Sequence, residues 1–557
     1  MESIIFLSAL VGISLVAYLL GVRDQKNSER ILLKKLKKNF GKAPKRNYKS
    51  DDLDHLQGYF KNHKSDYQID DTTWNDLNMD GVFARMNYCL SATGEEYLYH
   101  MLRTPRTDDD FDDLEKKVSF FRKNEEARIK LQLLFSKIGR NIRYSIYDYI
   151  DYLEDAGKFS NKEHYIMLIL MGLFICMCFF NFSIGFVAFV VLVVINLVRY
   201  FAVKGDIEPY LASYRYILRV IRSVSFFEKI TYPELEEDIK ALKKAASGLK
   251  GFTKGSYILM SQSRMNSGGN PAELILDYIR IATHIDLIKF NQMYKEISLH
   301  RDDLDQILTI TGRIEAYISI ACFRESYLDS FCIPSFGGDA YDAKELIHPL
   351  IENAVANDIL STSGILITGS NASGKSTFLK TCAINTVFAQ TIHTVLGKEY
   401  RAPLYEVYSS MALKDDIFEG DSYYIVEIKS IKRILDAAAS SKHKVLCFVD
   451  EVLRGTNTIE RIAASTEILK TFANNKVTCF AATHDIELTS LLKDYLGIYH
   501  FEGNVSENDV HFDYKIKTGP ATNRNAIKLL GVLGYDENIV ENAQALADKF
   551  LSEGTWN

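Results

Sequence analysis

A phosphate-binding loop is the feature of this 557-residue sequence that most limits its fold. Residues 369–376 read GSNASGKS, which satisfies the pattern GxxxxGK[ST], and they follow an apolar run, 364–368, that is typical of a buried strand. A helical pattern then continues to about Gln390. Because such a loop needs a strand before it and a helix after it, the motif predicts an α/β P-loop domain.

The loop also predicts which groups would hold a nucleotide. Backbone N–H groups of a glycine-rich loop curl around phosphates, and the N-terminus of the next helix adds a favourable potential. We expect Lys375 to reach the β and γ phosphates and Ser376 to ligate Mg²⁺, so the expected cofactors are ATP and Mg²⁺. The predicted nucleotide-binding residues are Gly369, Ser370, Asn371, Ala372, Ser373, Gly374, Lys375, Ser376 and Thr377.

Two further apolar runs end in residues that suit hydrolysis. The run 444–449 leads into Asp450, predicted to hold Mg²⁺, and Glu451, predicted to polarise the attacking water. The run 477–482 leads to His484. A lone histidine is more often structural, but a strand end next in sequence to the Asp450 strand favours a γ-phosphate sensor. The predicted catalytic residues are therefore Glu451, His484 and Lys375.

Together these motifs resemble the ATPase domain of the MutS family of DNA mismatch-repair proteins. The likeness follows the family's order of motifs over residues 346–557. The segments that carry it are 347–350 (IHPL), 371–377, 415–427 (DDIFEGDSYYIVE), 450–458 (DEVLRGTNT), 480–484 (FAATH), 514–519 and 525–534.

The resemblance implies a homodimer with composite ATP sites, in which Ser422 reaches in trans toward the partner's γ-phosphate. This sequence departs from the family around that serine. It has Asp421 before it and Tyr423 and Tyr424 after it, where the family often has a basic residue and Thr-Phe. The resemblance also implies DNA binding, which no motif of the sequence itself indicates.

The middle of the chain is predicted to be helical. From about Asp70 the apolar pattern resembles the start of the family's core and lever region, and 314–321 resembles the helix that leads back into the ATPase. Residues 273–300 are predicted as one helical run, because Leu274, Tyr278 and the isoleucines that follow recur at steps of four and three. Such a stripe indicates packing.

The first apolar block, 3–22, has 20 residues and no charge. At 1.5 Å per residue it would extend about 30 Å, enough to cross a hydrocarbon core. A cleaved signal peptide is the alternative, but the only early charge is Glu2. Residues 23–49 then carry eleven Lys or Arg and two acids, which places the following chain in the cytoplasm. The same basic run could touch anionic lipid or DNA phosphates.

The second block, 165–198, has 34 residues without a charge. The polar residues Asn181 and Ser183 divide it near the middle, and both flanks are basic. We therefore expect a transmembrane hairpin with both ends in the cytoplasm rather than one long span. The predicted location is the cell membrane, multi-pass, with the ATPase domain facing the cytoplasm.

The mismatch-reading domain of the family, which carries a Phe-x-Glu wedge, is expected to be missing. Only residues 23–69 separate the anchor from the core-like region, and Phe226-Phe227-Glu228 lies among helical patterns. With a net charge of −6, and 55 basic against 70 acidic residues outside 23–49, the chain is not a uniformly basic nucleic-acid protein. Its eight cysteines form no CxxC pair, which indicates reduced thiols.

Two functions remain open. The first is a membrane-anchored MutS-like ATPase whose dimer is coupled to DNA in a repair-related process without mismatch reading. The second is an ATP-driven transport or signalling ATPase with no nucleic-acid role, although no LSGGQ lies between Gly374 and Asp450. The predicted divisions are an anchor (1–22), a basic linker (23–69), a helical core-like segment (70–160), a membrane hairpin (161–204), a second helical lever and core-like segment (205–345), and the ATPase domain with its C-terminal helical element (346–557).

Overall fold

The structure is a computed structural model. It describes residues 23–24, 26–46, 48, 51–140, 145–148, 160–256, 279–370, 373–411, 423–505, 510–521 and 526–555. Several predictions lie outside these residues: the anchor 3–22, the loop residues Asn371 and Ala372, and Ser422 with the segment before it.

A helical body comes first in the chain and a sheet-containing domain follows. The helices of the body are α1 (26–39), α2 (Asp51–Asp54), α3 (Gln57–Asn62), α4 (Asp71–Asp76), α5 (Met79–Met86), α6 (Ala92–Arg103), α7 (Asp112–Lys123), α8 (Glu125–Ile138), α9 (Lys162–Phe180), α10 (Phe182–Phe227), α11 (Glu236–Gly248), α12 (Lys250–Thr253), α13 (Ile285–Leu299) and α14 (Arg301–Glu325). This order confirms the coarse prediction of a helical region before an α/β domain.

The described residues of the second part form ten strands and six helices. They are β1 (Ser335–Phe336), β2 (Tyr341–Leu346), β3 (Asn357–Ser361), β4 (Gly364–Thr368), α15 (Lys375–Ile392), β5 (Glu399–Ala402), β6 (Tyr405–Ser410), α16 (Tyr423–Ser440), β7 (Lys444–Asp450), α17 (Thr458–Asn474), β8 (Thr478–Ala482), α18 (Glu487–Leu492), β9 (Gly497–Val505), β10 (Val510–Thr518), α19 (Ala526–Val532) and α20 (Glu537–Glu553).

The larger sheet has six strands in the order β10-β9-β4-β8-β7-β6. All neighbours in it are parallel except β9 and β10. Every residue of β4 and of β8 is buried, as expected for strands covered on both faces. Because β8 lies between β4 and β7, the carboxyl ends of these three strands meet at one edge of the sheet.

Helix α15 is held between the two sheets. The smaller sheet has the order β1-β5-β2-β3, and its Tyr341 hydroxyl donates a hydrogen bond to the Cys382 carbonyl of α15 at 3.2 Å. Nearly all of α15 is buried, including Phe378, Leu379 and Phe388. The start of α15 is therefore fixed from both sides.

The long helix α14 is the centre of the helical body. It packs on α6, α7 and α11, and Ile314 and Ile318 are among its buried side chains. Its closest neighbour is α6, since a Cβ atom at Gly312 would lie 2.6 Å from the Thr93 carbonyl oxygen. Glycine at position 312 allows this close approach.

The prediction of one helical run over 273–300 is wrong at His284. Of that run the structure describes 279–300, and His284 has a positive φ of 54° that separates a short helical stretch from α13. The His284 imidazole lies 2.9 Å from the Asn196 carbonyl oxygen of α10 and 3.0 Å from the His164 imidazole of α9. Long-range contacts with α9 and α10 thus override the local periodicity.

The apolar block 165–198 forms two helices, α9 and α10, that meet at Asn181. The Asn181 side chain accepts a hydrogen bond from the backbone N–H of Ile184 and so begins α10. Helix α10 then continues through Pro209 to Phe227, where it packs into the helical body. In the described part of the chain, 162–180 and 182–205 are the helices long and apolar enough to cross a membrane. We call residues 162–205 the apolar hairpin.

Candidate nucleotide-binding site

The phosphate-binding loop lies between β4 and α15, as the motif predicts. Gly369 and Gly374 both have positive φ, 139° and 108°. A Cβ atom at Gly369 would lie 2.5 Å from the Phe501 carbonyl oxygen of β9, so this position requires glycine. The loop delivers the chain into the first turn of α15, where Lys375, Ser376 and Thr377 follow in sequence.

The Lys375 side chain folds back onto the loop that precedes it. Its Nζ atom donates to the carbonyl oxygens of Gly369 at 2.8 Å and Ser370 at 2.9 Å. Burial lowers the pKa of Lys375 to about 8, and the charges of Asp450 and Glu451 oppose that change. Both carboxylates therefore act on the lysine across the edge of the sheet.

A cavity of about 620 Å³ adjoins the start of α15. Residues 374–377, the segment 351–355 and the aromatic rings of Phe501 and Tyr514 are part of its lining. The size is typical of small-molecule sites. A phosphate chain on the loop would thus lead into a partly aromatic space.

His348 lies in the wall of the same cavity. Its Nδ1 atom accepts a hydrogen bond from the backbone N–H of Leu350 at 3.2 Å. Burial, with a smaller effect from the charge of Lys380, lowers the pKa of His348 to about 4. The imidazole is therefore neutral at pH 7, and its Nε2 atom carries the remaining N–H.

Glu451 lies at the carboxyl end of β7, one residue after Asp450. Its backbone has a positive φ of 64°, and its N–H donates to the Ala482 carbonyl of β8 at 2.9 Å. Its two carboxylate oxygens contact different cations: Oε1 contacts Nε2 of His484 and Oε2 contacts Nε of Arg454. A non-glycine residue in this conformation is strained, which is frequent at functional sites.

His484 connects three parts of the site. Its Nδ1 atom lies 3.2 Å from the Gly369 carbonyl oxygen, while its Nε2 atom contacts Glu451. A carbonyl oxygen only accepts, so Nδ1 is the donor in the contact with Gly369. The loop, β7 and β8 are thus joined through one imidazole.

The pKa of Glu451 is lowered by these neighbours. Burial alone would raise it, but the hydrogen bond from His484 and the charges of His484, Arg454 and Lys375 outweigh burial. Glu451 is therefore ionised at neutral pH. An ionised carboxylate can accept a proton from a water molecule or hold that water in position.

Sequence reasoning missed how the residues after β7 are held. The buried carboxylate of Glu427 in α16 accepts hydrogen bonds from the backbone N–H groups of Leu453 and Arg454, the latter at 3.0 Å. Burial raises the pKa of Glu427. Because Leu453 also has a positive φ of 61°, Glu427 fixes a strained turn that presents Arg454 to Glu451. Glu427 and Arg454 both lie in segments that resemble family motifs, but no local sequence pattern predicts the contact between them.

The donor set suits Mg²⁺. Ser376 lines the cavity on the first turn of α15, and Asp450 ends β7 with a nearly buried side chain whose charge acts on Lys375. Within the described residues no group of three or more His, Cys, Asp or Glu could hold an ion. A hydroxyl and one carboxylate match the way Mg²⁺ binds in nucleotide sites, where phosphates and water supply the other ligands.

A phosphate-binding loop at the central strand, with an acidic pair two strands away and a histidine between them, defines a P-loop ATPase domain. Residues 365–551 match the family model described as MutS domain V. This match confirms the resemblance of the motifs to the MutS family over this domain.

Three curated relatives that are similar to this part of the chain are DNA mismatch repair proteins MutS. The protein of Thermosipho melanesiensis is 29% identical over 271 residues, which cover 46% of this chain and 32% of the relative. That of Thermus aquaticus is 27% identical over 262 residues, with the same coverage. That of Lactobacillus delbrueckii subsp. bulgaricus is 27% identical over 297 residues, 50% of this chain and 34% of the relative. The chain spans about a third of the length of each.

Proposed function

We propose that this protein is a membrane-anchored MutS-like ATPase that binds and hydrolyses ATP with Mg²⁺. The contact of Glu451 with His484, beside Lys375 of the phosphate-binding loop, is the observation that carries this proposal. In this reading Gly369 to Thr377 hold the phosphates, Ser376 and Asp450 would hold Mg²⁺, and Glu451 orients and deprotonates the attacking water. His484 senses the γ-phosphate through its contact with both Glu451 and the loop.

The active form that we propose is a homodimer with composite sites, to which Ser422 contributes in trans. The C-terminal helices α19 and α20 support an association between copies. Leu533, in the turn between them, is 73% exposed, Ile539 of α20 is 52% exposed, and Tyr535 and Leu546 are also exposed. Apolar side chains grouped in this way are typical of a protein–protein contact.

We further propose that ATP turnover is coupled to DNA binding in a process related to mismatch repair. The similarity to DNA mismatch repair proteins MutS supports this part. Mismatch reading by a Phe-x-Glu wedge is not part of the proposal, because Phe226, the phenylalanine of that tripeptide, lies within α10 and packs against the core of the helical body.

The membrane location rests on the apolar hairpin. Its side chains are largely exposed, with Phe179 at 87% and Phe180 at 92%, as expected for a surface in contact with lipid. We propose that the hairpin crosses the membrane with both ends on the cytoplasmic side, together with the predicted anchor 3–22.

Replacing the general base tests the central proposal. Glu451→Gln keeps the size of the side chain but removes its negative charge, so we expect the Kd for ATP to stay within about threefold while hydrolysis falls roughly 100-fold or more. Nucleotide binding and phosphate release would be measured on the full chain in detergent. Glu467→Gln, on the exposed face of α17, is the matched control and should retain turnover. Unchanged hydrolysis in Glu451→Gln would overturn the assignment.

A transport or signalling ATPase without a nucleic-acid role is the second candidate. The observation that favours it is α10, which joins the tip of the apolar hairpin to the core of the helical body in one helix. Stimulation of the ATPase by DNA separates the two candidates. A rate that responds to reconstitution in vesicles but not to duplex DNA would favour the second.

A further inference from the structure

A small cationic hollow lies between α8 and α10, far along the chain from the nucleotide site. Its volume is about 210 Å³. Three cations and no carboxylate are among its described lining residues, which are Leu134, Lys137, Ile138, Arg219, Arg222, Ser223 and Phe226. We call Lys137, Arg219 and Arg222 the cationic seam. The lining therefore combines apolar side chains with positively charged ones.

Helix α10 extends the positive charge beyond the hollow. Arg215, Arg219 and Arg222 follow one another at steps of four and three residues, which places them on one face of the helix. At 1.5 Å per residue this row is about 10 Å long. On α8, Lys130 lies 5.8 Å from the ring of Phe226 and adds a cation beside the row.

Arg219 is the member of the seam whose charge is least compensated. Its Nε atom is buried and has no hydrogen-bond partner among the described residues. Burial lowers the pKa of Arg219, and the neighbour that opposes this is the Tyr216 hydroxyl rather than a carboxylate. A buried donor without an acceptor is costly, so this guanidinium has free capacity for an anion.

The other two cations are satisfied only in part. Arg222 donates from Nη2 to the Ser256 hydroxyl at 2.8 Å, and a neutral partner leaves its charge uncompensated. Lys137 pairs with Glu29 of α1 at 2.8 Å, but both side chains are largely exposed, so the pair is weak. Glu228, which follows the end of α10, is the acid nearest to the row in sequence.

We propose that the cationic seam and its row on α10 bind the phosphodiester backbone of a nucleic acid. The proposal rests on the DNA part of the proposed function and assigns that role to a surface outside the ATPase domain. Arginines pair with phosphate oxygens in a forked geometry, and a row of cations about 10 Å long is long enough to face two or three successive phosphates of a strand. Contacts of this kind do not read the base sequence.

A lipid surface fits this row less well. Arg219 follows Gly205, the last residue of the apolar hairpin, by 14 positions, or about 21 Å along α10. Even with a bend at Pro209, that distance exceeds two Debye lengths at physiological salt, which are about 16 Å. Headgroups at the end of the apolar hairpin would therefore be screened from the seam.

The test measures binding of a labelled 40-base-pair duplex DNA to the nucleotide-free full chain in detergent, over a series of salt concentrations. The slope of log K against log[salt] counts the phosphates that are neutralised, at about −0.9 per contact. For the double variant Arg219→Gln/Arg222→Gln we expect a slope shallower by about 2 and a Kd roughly tenfold higher or more. Arg219→Lys, which keeps the charge, should retain the slope.

Arg401→Gln is the matched control, since Arg401 is an exposed arginine on β5 of the ATPase domain. It should leave both slope and Kd unchanged, and ATP hydrolysis should be normal in all variants, which shows that they are folded. The proposal is overturned if the double variant keeps the wild-type slope, or if the wild-type chain binds no duplex at low salt. It is also overturned if polyglutamate competes as well as DNA, or if the loss appears only with anionic vesicles.

The outcomes distinguish this proposal from the proposed function. DNA binding that survives in the double variant removes the seam but leaves a DNA-coupled ATPase. No DNA binding with normal hydrolysis removes the DNA role and leaves the ATPase. A Glu451→Gln variant that still hydrolyses ATP affects only the catalytic assignment.

Discussion

His484 and Glu451 contact each other across the ends of two neighbouring strands, with Nε2 of the imidazole against Oε1 of the carboxylate. The same imidazole reaches the Gly369 carbonyl oxygen at 3.2 Å. A γ-phosphate bound at the loop would lie close to His484, because the imidazole already contacts the Gly369 carbonyl oxygen of the loop. The contact thus offers a direct path from the state of the nucleotide to the carboxylate that orients water.

Loss of this imidazole should slow chemistry more than binding. In His484→Ala we expect hydrolysis to fall roughly 10- to 100-fold, about 1.4–2.7 kcal/mol of transition-state stabilisation, because Glu451 loses the contact that holds its carboxylate in place. The Kd for ATP should change by less than about threefold. Single-turnover phosphate release and nucleotide titration would measure the two quantities.

His443→Ala is the matched control, because His443 is exposed in the loop before β7. It should hydrolyse ATP at the wild-type rate. If His484→Ala instead loses ATP affinity and keeps its rate once saturated, the histidine serves binding rather than chemistry.

Replacement of Lys375 should weaken ATP binding more than it slows the chemical step. Its ammonium group is held against two loop carbonyls, so in Lys375→Met the phosphates lose a charged donor that is already in place. A hydrogen bond to a charged group contributes about 1.5–3 kcal/mol, so we expect the Kd for ATP to rise roughly 10- to 100-fold. Titration with a fluorescent ATP analogue measures the change.

Lys432→Met serves as the control for that titration. Lys432 is an exposed residue of α16 that pairs with Asp436 one turn away, a contact of little energetic weight. An equal loss of affinity in both variants would contradict the role of Lys375.

The sequence was sufficient where one local motif determines the structure. Residues 364–368 and the helix after the loop are found as β4 and α15, because the apolar run and the GKS turn are adjacent in sequence. The bond from Glu427 to the Leu453 and Arg454 amides was not predictable, since it joins residues 26 and 27 positions apart. The break at His284 was missed for the same reason, because its partner Asn196 is 88 positions away.

A partly buried ion pair of the helical body contacts the nucleotide-binding domain through His393. Arg324, at the end of α14, donates to Glu115 of α7 at 2.9 Å, and His393, directly after α15, lies 2.9 Å from the same carboxylate. Burial alone would raise the pKa of Glu115, but hydrogen bonds from His393 and Arg324 lower it to about 2. Arg324 is fully buried, so it depends on this partner.

The stability of the fold should depend on the charge of Glu115. Because its pKa is depressed in the folded state, the stabilisation is present above the unfolded value of about 4.3 and is lost as pH falls from there toward about 2. The contribution is on the order of 2–3 kcal/mol. Glu115→Gln should therefore lower the Tm at pH 7 by several degrees and flatten the acid dependence of the Tm.

Thermal unfolding of the full chain in detergent, over a pH series from pH 7 down to about pH 2, measures this effect. Glu126→Gln on the exposed start of α8 is the control and should follow the wild-type curve. A Glu115→Gln variant that loses as much Tm on acidification as the wild type would show that the ion pair does not carry the pH dependence.

Gly185 of α10 lies against α9, whereas Gly172 of α9 faces open space, so valine substitutions at the two positions form a matched pair of variants. A Cβ atom at Gly185 of α10 would lie 2.5 Å from the Cys178 nitrogen of α9, whereas at Gly172 nothing lies within 4 Å. Gly185→Val should therefore force the helices apart and lower the Tm of the full chain by several degrees, and it should increase protease cleavage near Asn181. Gly172→Val adds the same side chain on the open face of α9 and should leave both measurements unchanged. Equal effects of the two variants would contradict close packing of α9 against α10.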